Sequence, residues 1–328
     1  MNSPRIILDQ HGDITLQVGG PDETDKTDFV ACSRTLARVS PVFDRMLYGT
    51  FAEAKSNQES PDDWTINLGD DNPAPMKIFL NIAHANFSEV PKALTVGDLY
   101  DLVVLTHYYD ATRLLTPWVE TWMSSLGSGQ QTPPSDMPKL LWISWEFGRK
   151  EDLTTISRQM LLEFDGNWFN DTDNLEDIQT PPYIIERMVS IRSNTIQKLL
   201  DIFHDMVETL TVVDEKPRWC HHATWMGHHR CESMILGSMT FCLTRAGLWP
   251  LPDPSEVQYS LVGLYRKLTS LIIHDIGDVK GTPSENHQRC NPREHLLHQV
   301  QEVMNGIPDL LTDYHKNRME EQSQGLVS

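Results

Sequence analysis

Long apolar runs are missing from this sequence. No stretch approaches the roughly eighteen apolar residues that a membrane-spanning helix needs. The opening Met1-Asn2-Ser3-Pro4-Arg5 lacks the apolar core of a secretory signal. Cysteine is scarce, five among 328 residues, and without an export signal this argues against a disulfide framework. The expected location is the cytoplasm or the nucleus, with no membrane partner. Basic clusters are missing too. Net charge is −19, of which −9 falls in residues 1–126 and −10 in the remainder. No local run of Lys or Arg reverses it. Such a surface repels phosphate backbones, so no direct nucleic-acid partner is expected.

The short words of catalysis are also absent. There is no G-x-G-x-x-G, no G-x-x-x-x-G-K-[ST] and no G-x-S-x-G, so phosphate loops and nucleophile elbows find no support. Neither H-E-x-x-H nor H-x-E…P-C-x-x-C occurs. Gly19-Gly20 sits in an acidic loop unsuited to phosphate. Cys32 with His84 or His107 would make a thiol–imidazole pair, but Cys32 closes an apolar strand and reads as a buried, inert thiol. No catalytic residue is expected.

What is present begins with Phe29 to Glu53. An extended apolar start, Phe29-Val30-Ala31, passes at Ser33 into a helical pattern. Leu36, Val39, Val42, Phe43, Met46 and Leu47 then recur at three- and four-residue steps. Ser40-Pro41 restarts the helix, because serine caps well and proline fits the first helical position. Asp13 to Val18 reads as an alternating strand before this stretch, and Trp64 to Leu68 as a third strand after it. Helices follow from Met76 to Ala85, behind an Asp70-Asp71-Asn72-Pro73 cap, from Asp98 to Tyr108, and from Leu114 to Met123. Polar loops are read at 19–27 and 54–63.

Leu36, Ser40, Phe43 and Met46-Leu47, with the aspartate-led strand before them, resemble a BTB/POZ domain over residues 9–125. Cys32 stands where many members carry histidine. The resemblance implies an α+β fold, a small sheet with a helical cluster, acting as a non-catalytic protein-interaction domain that self-associates. Family dimers bury apolar residues of the first helices, here Val39, Val42, Phe43 and Met46. BTB domains that recruit cullin scaffolds carry an apolar residue, any residue, then glutamate after the second helix. Phe51-Ala52-Glu53 matches that order and makes Phe51 and Glu53 the expected cullin contact.

Residues 126–136, rich in Gly, Ser and Pro, read as a linker. Beyond it every strong pattern is helical, so an all-α domain is expected over 137–320, with a frayed tail over 321–328. Its helices are read at 140–145, at 153–161, from Tyr183 to about Val213, over 231–247, over 257–273 and from Arg293 to about Met319. Asn167 to Pro182 reads as an acidic loop. The aromatic pairs Trp118/Trp122, Trp142/Trp145 and Tyr108/Tyr109 read as a packed seam between the halves. Gly247-Leu248-Trp249-Pro250 and His287-Gln288-Arg289-Cys290 extend the resemblance to the tails of BTB proteins abundant in filamentous fungi.

Between Cys220 and His298 lie four of the five cysteines and eight of the thirteen histidines. His228-His229-Arg230-Cys231 and His287-Gln288-Arg289-Cys290 each set a histidine three residues before a cysteine, near enough for both to reach one ion. Cys220, Cys231, His287 and Cys290, with His228 in reserve, are therefore the candidate ligands of one structural zinc ion. The spacing matches no standard zinc finger, and Cys242, beside Phe241 and Leu243, reads as a plain core thiol. Three readings of function result. The first is an adaptor or scaffold that meets itself and unidentified protein partners. The second is a substrate receptor of a cullin-type ubiquitin ligase. The third is a zinc-dependent hydrolase in the C-terminal half.

Overall fold

The structure, a computed structural model, describes residues 4–20, 26–51, 53–54, 64–126, 132–171, 175–211, 219–220, 227–277 and 287–327; of 170, 227, 228 and 325–327 it describes only the backbone. The chain divides into two units. The first comprises Met1–Ile156, Ile178–Pro181 and Leu311–Ser328, the second Ser157–Asp177 and Pro182–Leu310.

The first unit holds a four-stranded sheet: β1 (Arg5–Ile7), β2 (Ile14–Val18), β3 (Thr27–Ala31) and β4 (Thr65–Leu68), in the order β1-β3-β2-β4. β2 and β3 are antiparallel, with Leu16 opposite Phe29, while β1 on β3 and β4 on β2 run parallel. Ile14, Leu16 and Val18 point to the core, as their alternation requires. β1 was not expected. Three residues with an exposed-half-buried-exposed pattern are too short to show a period.

Helices α1 (Ser33–Val39), α2 (Pro41–Tyr48), α3 (Pro73–Ala83), α4 (Val96–Tyr108) and α5 (Thr116–Leu126) complete the N-terminal part. α1 has no cap of its own from Cys32. Asp13 replaces it from the start of β2, accepting the Ser33 N–H at 2.8 Å and the Ser33 hydroxyl at 2.7 Å. A carboxylate there also faces the positive end of the helix dipole. Ser40 caps α2 as expected, accepting the Phe43 N–H at 3.1 Å. Asn72 caps α3 by accepting from Ala74 N at 3.0 Å.

α6 (Met137–Glu146) is buried on every side, including Leu140, Leu141, Trp142, Ile143 and Trp145. A helix apolar all round belongs inside a core. It packs against α4, so the division falls within α7 (Lys150–Glu163) rather than at the expected linker of 126–136, whose residues 127–131 lie outside the described ones. Glu146 is the one charged residue among those buried on α6. It accepts from Thr112 Oγ1 at 3.4 Å and lies 3.1 Å from His107 Nδ1. That hydrogen bond raises the His107 pKa above the usual imidazole range, against the opposing effect of its burial.

The aromatic pairs expected at a seam between the halves all fall within the first unit. The Trp142 ring lies 5.0 Å from His107, and Trp145 lies 5.7 Å from His315. Trp118 instead meets Phe87 and Trp122, whose Nε1 donates to the Pro91 carbonyl at 2.9 Å. Tyr109 belongs to the N-terminal core, and Tyr108 is exposed.

The end of the chain departs from the expected frayed tail. α13 (Asp313–Val327) stays helical through it, and Met319 is buried. Gly148, at φ +62°, permits the contact: a Cβ there would stand 2.7 Å from Ser323 N and 2.8 Å from the Met319 carbonyl oxygen. The expected helix from Arg293 to Met319 is two, α12 (Arg293–Asn305) and α13, because Gly306 and Pro308 interrupt it.

The second unit is helical. α8 (Gly166–Asn170) occupies the start of the expected acidic loop, whose residues 172–174 lie outside the described ones. α9 (Ile184–Thr211) is its spine, burying Ile184, Met188, Ile191, Ile196, Leu199 and Phe203. α10 (Gly227–Arg245), α11 (Leu261–Thr269) and α12 surround it. α11 is shorter than read, since 257–260 and 271–273 are extended or turn backbone. Arg192 of α9 is buried and donates to the carbonyls of Val257 and Tyr259 at 3.0 and 2.7 Å. Among the described residues no strand follows Leu68 and no helix is long and apolar enough to cross a membrane.

Phe43 tests the core. Its ring stacks on Tyr109 at 4.4 Å and on Phe79 at 6.2 Å, with no exposure. Phe43→Ala should cost about 3–5 kcal/mol, read as a lowered midpoint in urea with the mass in solution unchanged. A change of mass at unaltered stability would return Phe43 to a subunit interface.

Candidate metal centre

Three separate stretches of the second unit bring ligand-type side chains together. Cys220 follows α9 in sequence, Cys231 sits in the first turns of α10, and a 3-10 turn, His287–Cys290, carries the other two just before α12. All four are buried, and their ligand atoms lie within 4.8 Å of one another. Cys220 Sγ stands 3.4 Å from His287 Nδ1 and 3.8 Å from Cys290 Sγ, and Cys290 Sγ stands 3.9 Å from His287 Nδ1. Tetrahedral bonds of about 2.3 Å to sulfur and 2.0 Å to nitrogen need roughly 3.8 Å between sulfurs and roughly 3.5 Å from sulfur to nitrogen. The group therefore has the dimensions of a Cys3His metal site. All five cysteines are free of disulfides.

The surroundings hold the ligands in position. Glu232 accepts the backbone N–H groups of Trp219 at 3.0 Å and Cys220 at 3.1 Å, fixing that stretch to α10. The Trp219 indole N–H donates to the Cys290 carbonyl. Asn291 donates to the Ile273 carbonyl and to Asp275, both at 2.9 Å, and Arg293 donates to the carbonyls of Leu271 and Thr269 at 3.1 Å. The His287 N–H donates to the Gly277 carbonyl at 3.0 Å. Backbone-directed bonds of this kind orient ligands from behind.

Electrostatically the cluster asks for a cation. Burial, then the neighbouring Cys220 and Cys290 sulfurs, push the Cys231 thiol far above its ordinary value. Three apolar-buried sulfurs cannot ionise beside one another unless a positive charge is added, and a divalent ion reverses that balance outright.

The sequence pointed to these four residues but missed Glu232 and Trp219. A signal existed: Glu232 is the only carboxylate between Glu215 and Asp253. The reserve ligand His228, with His221 and His222, has its side chain outside the described residues. Cys242 is not the core thiol expected. It is half-buried, donates to the Ile272 carbonyl at 3.2 Å, and has an exposed neighbour in Phe241. Cys32, half-buried rather than buried, meets His84 Nε2 through its backbone N–H, at 3.0 Å. Burial lowers the His84 pKa, and its Nδ1 is taken by the Leu80 carbonyl at 2.9 Å.

On the first unit, Val39, Val42 and Met46 are half-buried, as surface positions of α1 and α2. Phe43 is corrected from interface to core, because its ring is enclosed by Tyr109 and Phe79. Phe51 is 55 % exposed, and Glu53 is exposed with its carbonyl accepting from Trp64 Nε1 at 3.0 Å. Ala52 between them lies outside the described residues.

The BTB/POZ domain family model matches residues 8–116. No curated protein matches the chain.

Proposed function

This chain is a BTB/POZ domain-containing protein, and from that premise we propose that it is a non-catalytic adaptor of the cytoplasm or nucleus. It meets a second copy through the first unit and offers protein partners its helical unit. The observation that carries the reading is the matched domain itself, an interaction module, joined to a site whose donors are structural in kind. Val39, Val42 and Met46 remain the candidate dimer contacts, half-buried and apolar on α1 and α2.

The Cys3His cluster, on this reading, holds one structural zinc ion through Cys220, Cys231, His287 and Cys290. Zinc bound by four protein donors has no open position for substrate or water. It would supply folding energy, tying the start of α10 to the start of α12. This disfavours a zinc-dependent hydrolase, which needs an open fourth position. The second reading worth keeping is a receptor for a cullin-type ligase, because Phe51 and Glu53 are both exposed after α2.

Three outcomes are expected. Light scattering of the full chain should give about 75 kDa, twice the 37.5 kDa of one chain. Val39→Glu with Met46→Glu should halve that mass without changing the circular dichroism spectrum. A wild-type monomer at micromolar concentration would sink self-association.

Protein purified without chelator should carry one zinc per chain. Cys220→Ser with Cys290→Ser should abolish it and lower the Tm by at least about 5 °C. Metal-free protein that melts at the same temperature as the wild type would remove the ion from the fold.

For the cullin reading, Phe51→Ala with Glu53→Lys should abolish co-precipitation of the scaffold while leaving mass and zinc content alone. Unaltered co-precipitation, or none from the wild type, leaves the plain adaptor.

A further inference from the structure

The second unit carries a face that its own packing does not explain. α10 buries Cys231, Ile235, Met239 and Leu243 along one side. Its outward side carries Met234, Gly237 and Phe241 at i, i+3 and i+7, a single helical stripe. Met234 is 36 % exposed and Phe241 61 %. A Cβ built on Gly237 meets nothing within 4 Å, so this mid-helix glycine is not required by any neighbour in its own fold. It leaves a gap through which another backbone can approach closely.

A second wall runs beside the stripe. After α11 the chain places Ile272 outward, 60 % exposed, between buried Leu271 and Ile273. Two bonds hold this segment along α10: the His274 N–H donates to Ser238 Oγ at 2.9 Å, and the Cys242 thiol donates to the Ile272 carbonyl at 3.2 Å. Between the walls lies a groove of about 300 Å³, lined by Phe241, Arg245, Ala246, Lys267, Ser270 and Ile272 among others.

The charge of this groove is opposite to that of the molecule. The chain has 46 acidic against 27 basic residues, yet no carboxylate lines the groove. The Arg245 guanidinium lies over the Phe241 ring at 5.8 Å, and the Lys267 ammonium over Tyr259 at 4.3 Å. Among the described residues neither cation forms an ion pair. The carboxylates nearest in sequence are engaged elsewhere: Asp253 accepts from Ser255, Glu256 from the Asp253 N–H, and Asp275 from Asn291 and the Gly277 N–H. Two cations resting on aromatic faces keep their charge available to an incoming anion.

We propose that this groove docks an acidic amphipathic helix of a partner protein. Its apolar side chains, at helical spacing, would cover Phe241 and Ile272, and its carboxylates would meet Arg245 and Lys267. The assignment rests on the adaptor reading and specifies the chemistry of what is carried. A second copy is assigned to the first unit by the adaptor reading, which leaves this groove for a different chain. An anionic membrane is disfavoured because two cations are few for such a surface.

The test uses the full chain and a labelled synthetic helix of roughly 18 residues, with Leu and Phe on one face and Glu on the flanks. Fluorescence anisotropy should show saturable binding that weakens with salt. Phe241→Asp, Gly237→Trp and the pair Arg245→Glu with Lys267→Glu should each weaken it by about tenfold or more. All are surface changes, with folding checked by circular dichroism. A peptide with Lys in place of Glu should not bind. Equal binding of both peptides, no binding, or indifference to the variants overturns the proposal. So does a drop in mass of Phe241→Asp by light scattering, which assigns the face to a second copy, and so does loss of phosphatidylserine-vesicle binding in the Arg245/Lys267 variant. A wild-type monomer that still binds the acidic peptide sinks the self-associating adaptor and leaves the docking site standing.

Discussion

A buried hydroxyl must find partners, and Ser40 finds two that lie far apart in the sequence. Its oxygen accepts from Phe43 N and its proton goes to the Tyr109 carbonyl at 2.6 Å. One side chain thus starts α2 and ties it to the end of α4, 69 residues away. Phe43 and Tyr109 stack beside this bond, and the Tyr109 hydroxyl continues outward to Asp71 at 2.5 Å. Burial pushes the Asp71 carboxyl up and the Tyr109 phenol far up, so the pair holds its proton on the tyrosine. The sheet, the first helices and the end of α4 are set around that point. An unpaired Ser40 oxygen there would cost about 1–3 kcal/mol, comparable to a sizeable part of a domain's net stability.

The second unit has no sheet among its described residues and uses a different device. Its ligand cluster joins residues 220, 231, 287 and 290, whose separation in sequence gives a large loop to close. Glu232, Asn291 and Arg293 close the same loops through backbone bonds. Hydrogen bonds and ligand side chains thus hold the same three stretches together. This is the arrangement expected when metal affinity and folding are coupled.

The two surfaces match an interaction protein in different ways. The composition is strongly acidic, with 46 acidic against 27 basic residues. Against that background a carboxylate-free groove on α10 is a local exception, and local exceptions in charge and apolarity are where partners are selected. Phe51, Phe241 and Ile272 are large apolar side chains left in water. Phe43 carries similar chemistry but lies inside.

Local chemistry was legible in the sequence. The alternation of Ile14, Leu16 and Val18, the Ser40-Pro41 restart, the Asn72-Pro73 cap and the helical stripe of α9 are all short-range patterns; the helical second part followed from such patterns, and the α+β first part from the resemblance to a BTB/POZ domain. The pairing of His287 with Cys290 was legible for the same reason, being a three-residue spacing. What required tertiary structure was which apolar face is covered and by what. Phe43 and Phe241 both sit on helical stripes, and only the distant Tyr109 and Phe79 decide that one is core. β1 exists because β3 offers it an edge. α6 joins the first unit because it is buried on all sides, and α13 stays helical to Val327 where Gly148 lets it pack. Glu232 became part of the cluster only when α10 met the chain at Trp219 and Cys220. Periodicity and capping act within a few residues, whereas burial is decided by partners dozens of positions away, and no single stretch of sequence contains them.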